Sequence, residues 1–171
     1  MYKALSPMRV FSAPIQPLKE RGARMTKMID VTGTCHCGAI SIAALVEDTR
    51  MIACHCSDCQ QFSGAPFRAV VIASGDHVQL TGTPREYAKT ADSGNIRLQG
   101  FCGECGTQLY AADQDKTIFN IRTGWLDQHH ELVPKIHIFG SSSPRWLADI
   151  ADQNWLTAGP GSAPFTPSSD A

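Results

Sequence analysis

Cys54-His55-Cys56-Ser57-Asp58-Cys59 packs three cysteines into six residues. Neighbours two apart in a chain rarely reach disulfide geometry, so these thiols are not expected to bridge one another. Two further groups flank them: Cys35-His36-Cys37 on one side, and Phe101-Cys102-Gly103-Glu104-Cys105-Gly106 on the other. Seven cysteines cannot all pair within one chain, and three tight groups do not resemble a disulfide framework. Metal is the better reading. The C-x2-C knuckle offers two thiolates to one ion if the turn between them is tight, and its glycines supply the necessary backbone angles. A closed structural zinc site needs four ligands, so two must come from elsewhere. In Cys35-His36-Cys37, an extended strand would turn both sulfurs to one face and His36 to the other. Cys54-His55-Cys56 repeats that arrangement, with Cys59 within reach across a turn starting at Ser57.

The thiols divide naturally into four plus three. A four-thiolate zinc is saturated and serves as a staple; a three-thiolate zinc keeps a fourth position for water or a substrate sulfur. The contiguous triplet Cys54, Cys56 and Cys59 can form one side of a tetrahedron by itself. By elimination Cys35 and Cys37 then complete the site of Cys102 and Cys105. Spacing leaves a second partition open, in which two of the triplet close the knuckle. His36 or His55 replacing a thiol, a redox pair, and an iron–sulfur centre are rival readings. Mononuclear zinc suits the C-x-C spacing better.

The chain has 171 residues, 43% of them hydrophobic and 18% charged, enough for one globular domain with a buried core. The net charge of −1 is uneven: residues 1–28 carry Lys3, Arg9, Lys19, Arg21, Arg24 and Lys27 against Glu20 alone. The mildly acidic remainder lacks the basic surplus that grips phosphate backbones, so nucleic acid is not an expected partner. No apolar run approaches the roughly 20 residues of a membrane span, and the N-terminus lacks a secretory signal's apolar stretch. A soluble, cytoplasmic protein with reduced thiols is expected.

Residues 1–28, with Pro7, Pro14 and Pro17, read as a disordered basic tail or a start placed too early, with Met25 or Met28 as the true initiator. Residues 159–171 have the Gly, Pro and Ser content of a second tail, leaving a working domain over 29–158. Within it the pattern predicts short strands at Ile40–Val46, Phe67–Ala73, His77–Leu80, Ile96–Phe101 and Thr117–Arg122, separated by turns. Short helices are expected around Ser57–Phe62 and Pro144–Ile150, and no longer helical period is present. The fold class is therefore all-β.

The three cysteine groups, Gly33-Thr34 before the first and Gln108-Leu109-Tyr110 after the last, resemble the glutathione-dependent formaldehyde-activating family. So do Thr123-Gly124-Trp125-Leu126-Asp127, Pro134-Lys135-Ile136-His137-Ile138-Phe139 and the later Ser143-Pro144-Arg145-Trp146. The likeness runs from about residue 33 to 150 and takes in all seven cysteines. It implies the all-β fold called a β-tent, with two zinc ions. One is structural, held here by Cys35, Cys37, Cys102 and Cys105; the second lies on Cys54, Cys56 and Cys59, the catalytic candidates. It also implies a carbon–sulfur lyase of the S-(hydroxymethyl)glutathione synthase type, joining glutathione and formaldehyde. The family's domain also occurs in a centromere protein, and a non-catalytic, zinc-stapled binding or scaffold module is the alternative.

Metal binding ionises a thiol that would be mostly protonated at neutral pH, and holding it beside an aldehyde replaces a slow encounter. Three thiolates make zinc a weak Lewis acid, which favours positioning the thiol over activating the carbonyl. Glutathione's carboxylates would need cations. Arg68, Arg97, Arg122 and Lys135 lie on or beside predicted strands and could turn inward, although each taken singly reads first as a solvated surface charge. Trp125 and Trp146 could wall a pocket or fill the core. His137 could shuttle a proton or simply be a satisfied strand histidine. Ser57, Asp58 and Gln60 flank the triplet and could hydrogen-bond a sulfur, or merely form the turn.

Overall fold

A computed structural model describes residues 26–167. Strands β1 (Met28–Thr34) and β2 (Ser41–Glu47) form an antiparallel hairpin, and β5 (Val78–Thr81) pairs with the other edge of β2. The larger sheet is built from β3 (Met51–Cys54), β4 (Arg68–Ser74), β6 (Arg85–Thr90), β7 (Ile96–Phe101), β8 (Gln108–Asp113), β9 (Ile118–Arg122) and β10 (Ile136–Ile138). Its order is β10-β3-β4-β9-β8-β7-β6, antiparallel throughout except for the parallel β10–β3 pair. One α-helix, α1 (Ser57–Ser63), follows β3, and β11 (Trp155–Leu156) pairs with β12 (Pro164–Phe165). Short 3-10 turns cover Gly75–His77, Thr123–Trp125, Gly140–Ser142 and Arg145–Asp152.

The protein is all-β, as expected. Five expected strands are β2, β4, β5, β7 and β9, within a residue or so at each end. The helix after Cys56 is α1, whereas the one expected around Pro144–Ile150 is a 3-10 segment interrupted at Asp149. The N-terminal tail expectation lies outside the described residues through residue 25, and Met28 already belongs to β1. Residues 159–167, read from composition as tail, fold back through β12 onto β11.

Side-chain alternation divides the large sheet into two unlike faces. Met51, Val71, Ala73, Tyr110, Ala112, Phe119 and Ile121 are buried together with Val31, Ile42, Ala44 and Val46 of the small sheet. That shared apolar layer is the core. The opposite face follows the complementary register: Cys54 opposite Arg68, Val70 opposite Arg122, Asn120 opposite Ala111, Ala111 opposite Gln99, and Arg97 opposite Lys89. A charged row thus crosses the outer face of the sheet, backed by the core.

Gly100 shows how tightly the core face is filled. It stands opposite Tyr110, which is 1% exposed, and a Cβ at position 100 would overlap the Tyr110 ring. Tyr110 cannot simply withdraw, because its ring packs edge-on against Phe119 at 5.0 Å and its hydroxyl donates to Glu86 Oε1 at 2.7 Å. Gly100→Ala is expected to cost about 1–3 kcal/mol through overpacking. A thermal melt should show the midpoint falling by several degrees.

Candidate metal centres and the pocket beside them

Each cysteine group sits where a strand gives way to a turn. Cys35 and Cys37 occupy the β1–β2 turn, closed by Cys35 N–H donating to Ile40 O at 2.8 Å and Gly38 N–H to Cys35 O at 2.9 Å. They are not in an extended strand, contrary to the sequence reading; the tight turn brings their sulfurs to 3.6 Å instead. Cys102 and Cys105 occupy the β7–β8 turn, where Gly106 at φ +75° lets its N–H return to Cys102 O. Cys102 Sγ lies 3.7 Å from Cys35 Sγ and 3.6 Å from Cys37 Sγ. The four sulfurs form one group, each within 4.8 Å of the others.

The second group is Cys54, Cys56 and Cys59, again with all sulfurs within 4.8 Å. Cys54 ends β3, and its sulfur is 3.6 Å from that of Cys56. Cys56 is extended and caps α1, its sulfur accepting the Cys59 N–H at 3.4 Å. Gly64 in the left-handed conformation ends the helix. Here alternation holds: His55 points away from the sulfurs, its Nε2 lying 2.9 Å from His137 Nδ1. The grouping is therefore four and three, and the alternative partition is not the one adopted.

Sulfur-only donor sets suit soft and borderline metals, and both groups could hold an ion. Their electrostatics suit one. Cys54 is drawn down to about 5 by its contact with Cys59, with help from the Arg68 charge, while Cys59 is pushed far up by Cys54 and by burial. Cys105 falls to about 5 beside Thr107, whose Oγ1 is 3.1 Å from its sulfur. Thiols in contact cannot all ionise unless a cation lies among them.

The triplet opens into a cavity of about 250 Å³ on the charged face of the sheet, lined by Cys54, Cys56, Cys59, Arg68, Arg97 and Gln99 among others. Helix α1 roofs it, tied to β6 by the Asp58–Lys89 ion pair and by Phe62 packing against Tyr87, with tilted rings 5.7 Å apart. Arg68 and Arg122 converge on one carbonyl: Gln99 Oε1 accepts from Arg68 Nη1 at 3.0 Å and from Arg122 Nη2 at 2.9 Å. Burial, then repulsion from Arg68, pulls the Arg122 guanidinium down to about 8; burial also lowers Arg68.

The other candidates fall elsewhere. Lys135 donates to Asp48 O at 2.8 Å, outside the pocket. His137 is one register step from Ile138, the residue opposite Cys54, so it faces away from the cavity and pairs with His55. Trp125 is a core residue with its indole N–H on Leu109 O, whereas Trp146 is exposed. Gln60 donates to His55 O and Ser142 O rather than to a sulfur, and Asp58 is committed to Lys89. Sequence reasoning missed Lys89, Gln99, Asn120 and Thr107. Gln99 and Asn120, each the lone amide of a β-rich run, carry a signal that strand alternation could have used.

An all-β domain with a closed four-thiol group in one corner and a three-thiol group open to a cationic pocket defines a class of cysteine-clustered domains fitted to two metal ions. The chain belongs to the glutathione-dependent formaldehyde-activating enzyme family, whose sequence profile matches residues 30–142. An uncharacterized lyase of Schizosaccharomyces pombe is 32% identical over 85 residues, 50% of this chain and 59% of that protein. The chain thus spans less than two thirds of that relative's length. The crystal structure of a Rhodobacter sphaeroides protein matches with a TM-score of 0.49 at 18% identity, over 62% of this chain and 98% of the other. Among the described residues, no helix is long and apolar enough to cross a membrane.

Proposed function

We propose that the protein is a zinc-dependent carbon–sulfur lyase that forms or cleaves thiol–aldehyde adducts, with glutathione and formaldehyde as the default pair. Zinc fits the donor sets. With Zn–S near 2.3 Å, sulfurs at the corners of a tetrahedron lie about 3.8 Å apart, and the contacts here are 3.6 to 3.7 Å. Cys35, Cys37, Cys102 and Cys105 would hold the structural ion, and Cys54, Cys56 and Cys59 the second. Seven free thiols fit a reducing compartment such as the cytoplasm. The observation that carries the reading is that the three-thiol group, and not the four-thiol group, forms a wall of the cationic cavity.

Bound by Cys54, Cys56 and Cys59, zinc would supply the positive charge that keeps an incoming thiol ionised at neutral pH. The remaining work falls to the chain. The walls of the cavity limit the approach of water, and Arg68 adds positive potential beside the attacking sulfur. In synthesis a sulfur–carbon bond forms, the carbonyl π bond breaks, and the proton lost by the thiol ends on the new hydroxyl. Cleavage reverses each change.

Two-dimensional exchange NMR on an equilibrated thiol and formaldehyde mixture tests the assignment. The zinc-loaded protein is expected to speed exchange by on the order of tenfold or more, and Cys56→Ser to abolish the gain. No acceleration with any small thiol would reject the enzyme in favour of the scaffold module.

A further inference from the structure

Resting on that reading, we propose that Arg68, Gln99 and Arg122 form a carboxylate seat, so that one of the two reactants is a short-chain carboxylic acid anchored beside the cysteine triplet. Arg122 is only 5% exposed, yet neither it nor Arg68 has an acidic partner. The ion pairs among the described residues are Glu47–Arg50, Asp58–Lys89 and Glu86–Lys116. Arg68 Nε, Arg122 Nε and Arg122 Nη1 are buried without any acceptor, while both guanidinium groups share the single Gln99 carbonyl. Orphaned donors on two adjacent buried cations are costly, and the group that matches a guanidinium fork is a planar, two-oxygen anion.

The cysteine triplet does not fill that role. Three thiolates on a divalent ion carry one net negative charge, too little for Arg68 and Arg97, which both line the cavity, together with Arg122, which reaches it through Gln99. Lys89 is already matched by Asp58. Position favours the assignment as well: Arg68 stands directly opposite Cys54 in the β3–β4 ladder, and Arg68, Gln99 and the three sulfurs line one cavity. The cavity, at about 250 Å³, is smaller than the pockets of roughly 300–1,000 Å³ that engulf drug-sized ligands. It admits an acid group on a short spacer, and the rest of a longer molecule must leave past the exposed Phe139 at its wall.

Binding of unreactive probes tests the seat without asking for turnover. The zinc-loaded full chain is titrated by calorimetry with methylthiopropanoate, a thioether acid, and with its neutral amide. The acid is expected to bind on the order of tenfold or more tightly than the amide, and Arg122→Met to erase the difference. Glycolate, which mimics an aldehyde-derived acid, is titrated in parallel. An Arg122-dependent preference for the thioether acid places the carboxylate on the thiol reactant, and one for glycolate places it on the aldehyde. Equal affinity for acid and amide with no binding of glycolate, or a preference unchanged in both Arg122→Met and Arg68→Met, would overturn the seat. Because the amide control acts on the ligand, a poorly folding variant does not rescue the idea. Acid binding without accelerated exchange would retain the seat and discard the lyase reading; accelerated exchange without acid preference would do the reverse.

Discussion

Cys102→Ser is expected to leave no soluble folded protein. Cys102 is 1% exposed and its sulfur touches those of Cys35 and Cys37. Those cysteines lie in the β1–β2 turn of the small sheet, while Cys102 and Cys105 lie in the β7–β8 turn of the large one. The group therefore staples the two layers that enclose the core. Apparent binding energies of structural zinc are about 10–16 kcal/mol in small zinc-dependent domains, comparable to the total stability of about 5–15 kcal/mol available to a domain. Cys56→Ser should behave differently, because the triplet spans only the β3–α1 junction and joins no distant segments. That variant should keep its circular dichroism spectrum and lose one of two zinc equivalents by elemental analysis. Unfolding of both variants to the same degree would show that the division into a structural and a reactive group is wrong.

Arg122→Met is expected to raise the melting temperature. Arg122 pairs with Val70 across the β4–β9 ladder, and its charge is buried next to that of Arg68 with two of its nitrogens unpartnered. Replacing even a buried ion pair by apolar side chains of similar volume is often neutral or stabilising by about 1–4 kcal/mol, and a buried cation without an acidic partner lacks the pair's compensation. The substitution also frees Gln99 Oε1 to serve Arg68 alone. Thermal denaturation of the zinc-loaded protein reads the effect. A fall in the midpoint would mean that the guanidinium is already compensated within the chain, and that its burial is a structural asset. A rise identifies a position where stability is sacrificed for binding, a common property of functional sites.

Much of this organisation is legible from the sequence because thiols advertise themselves by spacing and strands by β-branched runs. Counting gives four plus three but leaves the membership open, which the fold supplies, and β4 and β9 follow from Phe67–Ala73 and Thr117–Arg122. The strands that escaped notice did so for physical reasons. β6 (Arg85–Thr90) is a largely exposed edge strand whose Arg, Glu and Lys look like loop residues. β8 contains Ala111 and Ala112, poor strand formers by composition that suit a crowded sheet interior. Two-residue spacing suggests a strand for the Cys35–Cys37 pair, but a tight turn satisfies the same spacing. The pocket was less legible still. Predicted strands single out Arg68, Arg97, Arg122 and Lys135 over Arg85 and Arg145, which are exposed, but do not say which of the four turn inward. What selects them is register, fixed by pairings between strands distant in the chain.

The two unlike faces of the large sheet also bear on how such a protein can diverge. Because neighbouring residues on a strand point to opposite sides, the side chains at 68, 97, 99, 120 and 122 can change without touching the interlocking layer behind them. Descendants of one ancestral domain can thus exchange one cargo for another by single substitutions, keeping the scaffold and both thiol groups unchanged. The thiol groups and the apolar layer then act as a fixed frame, and the polar residues of the outer face become the part free to set what is recognised.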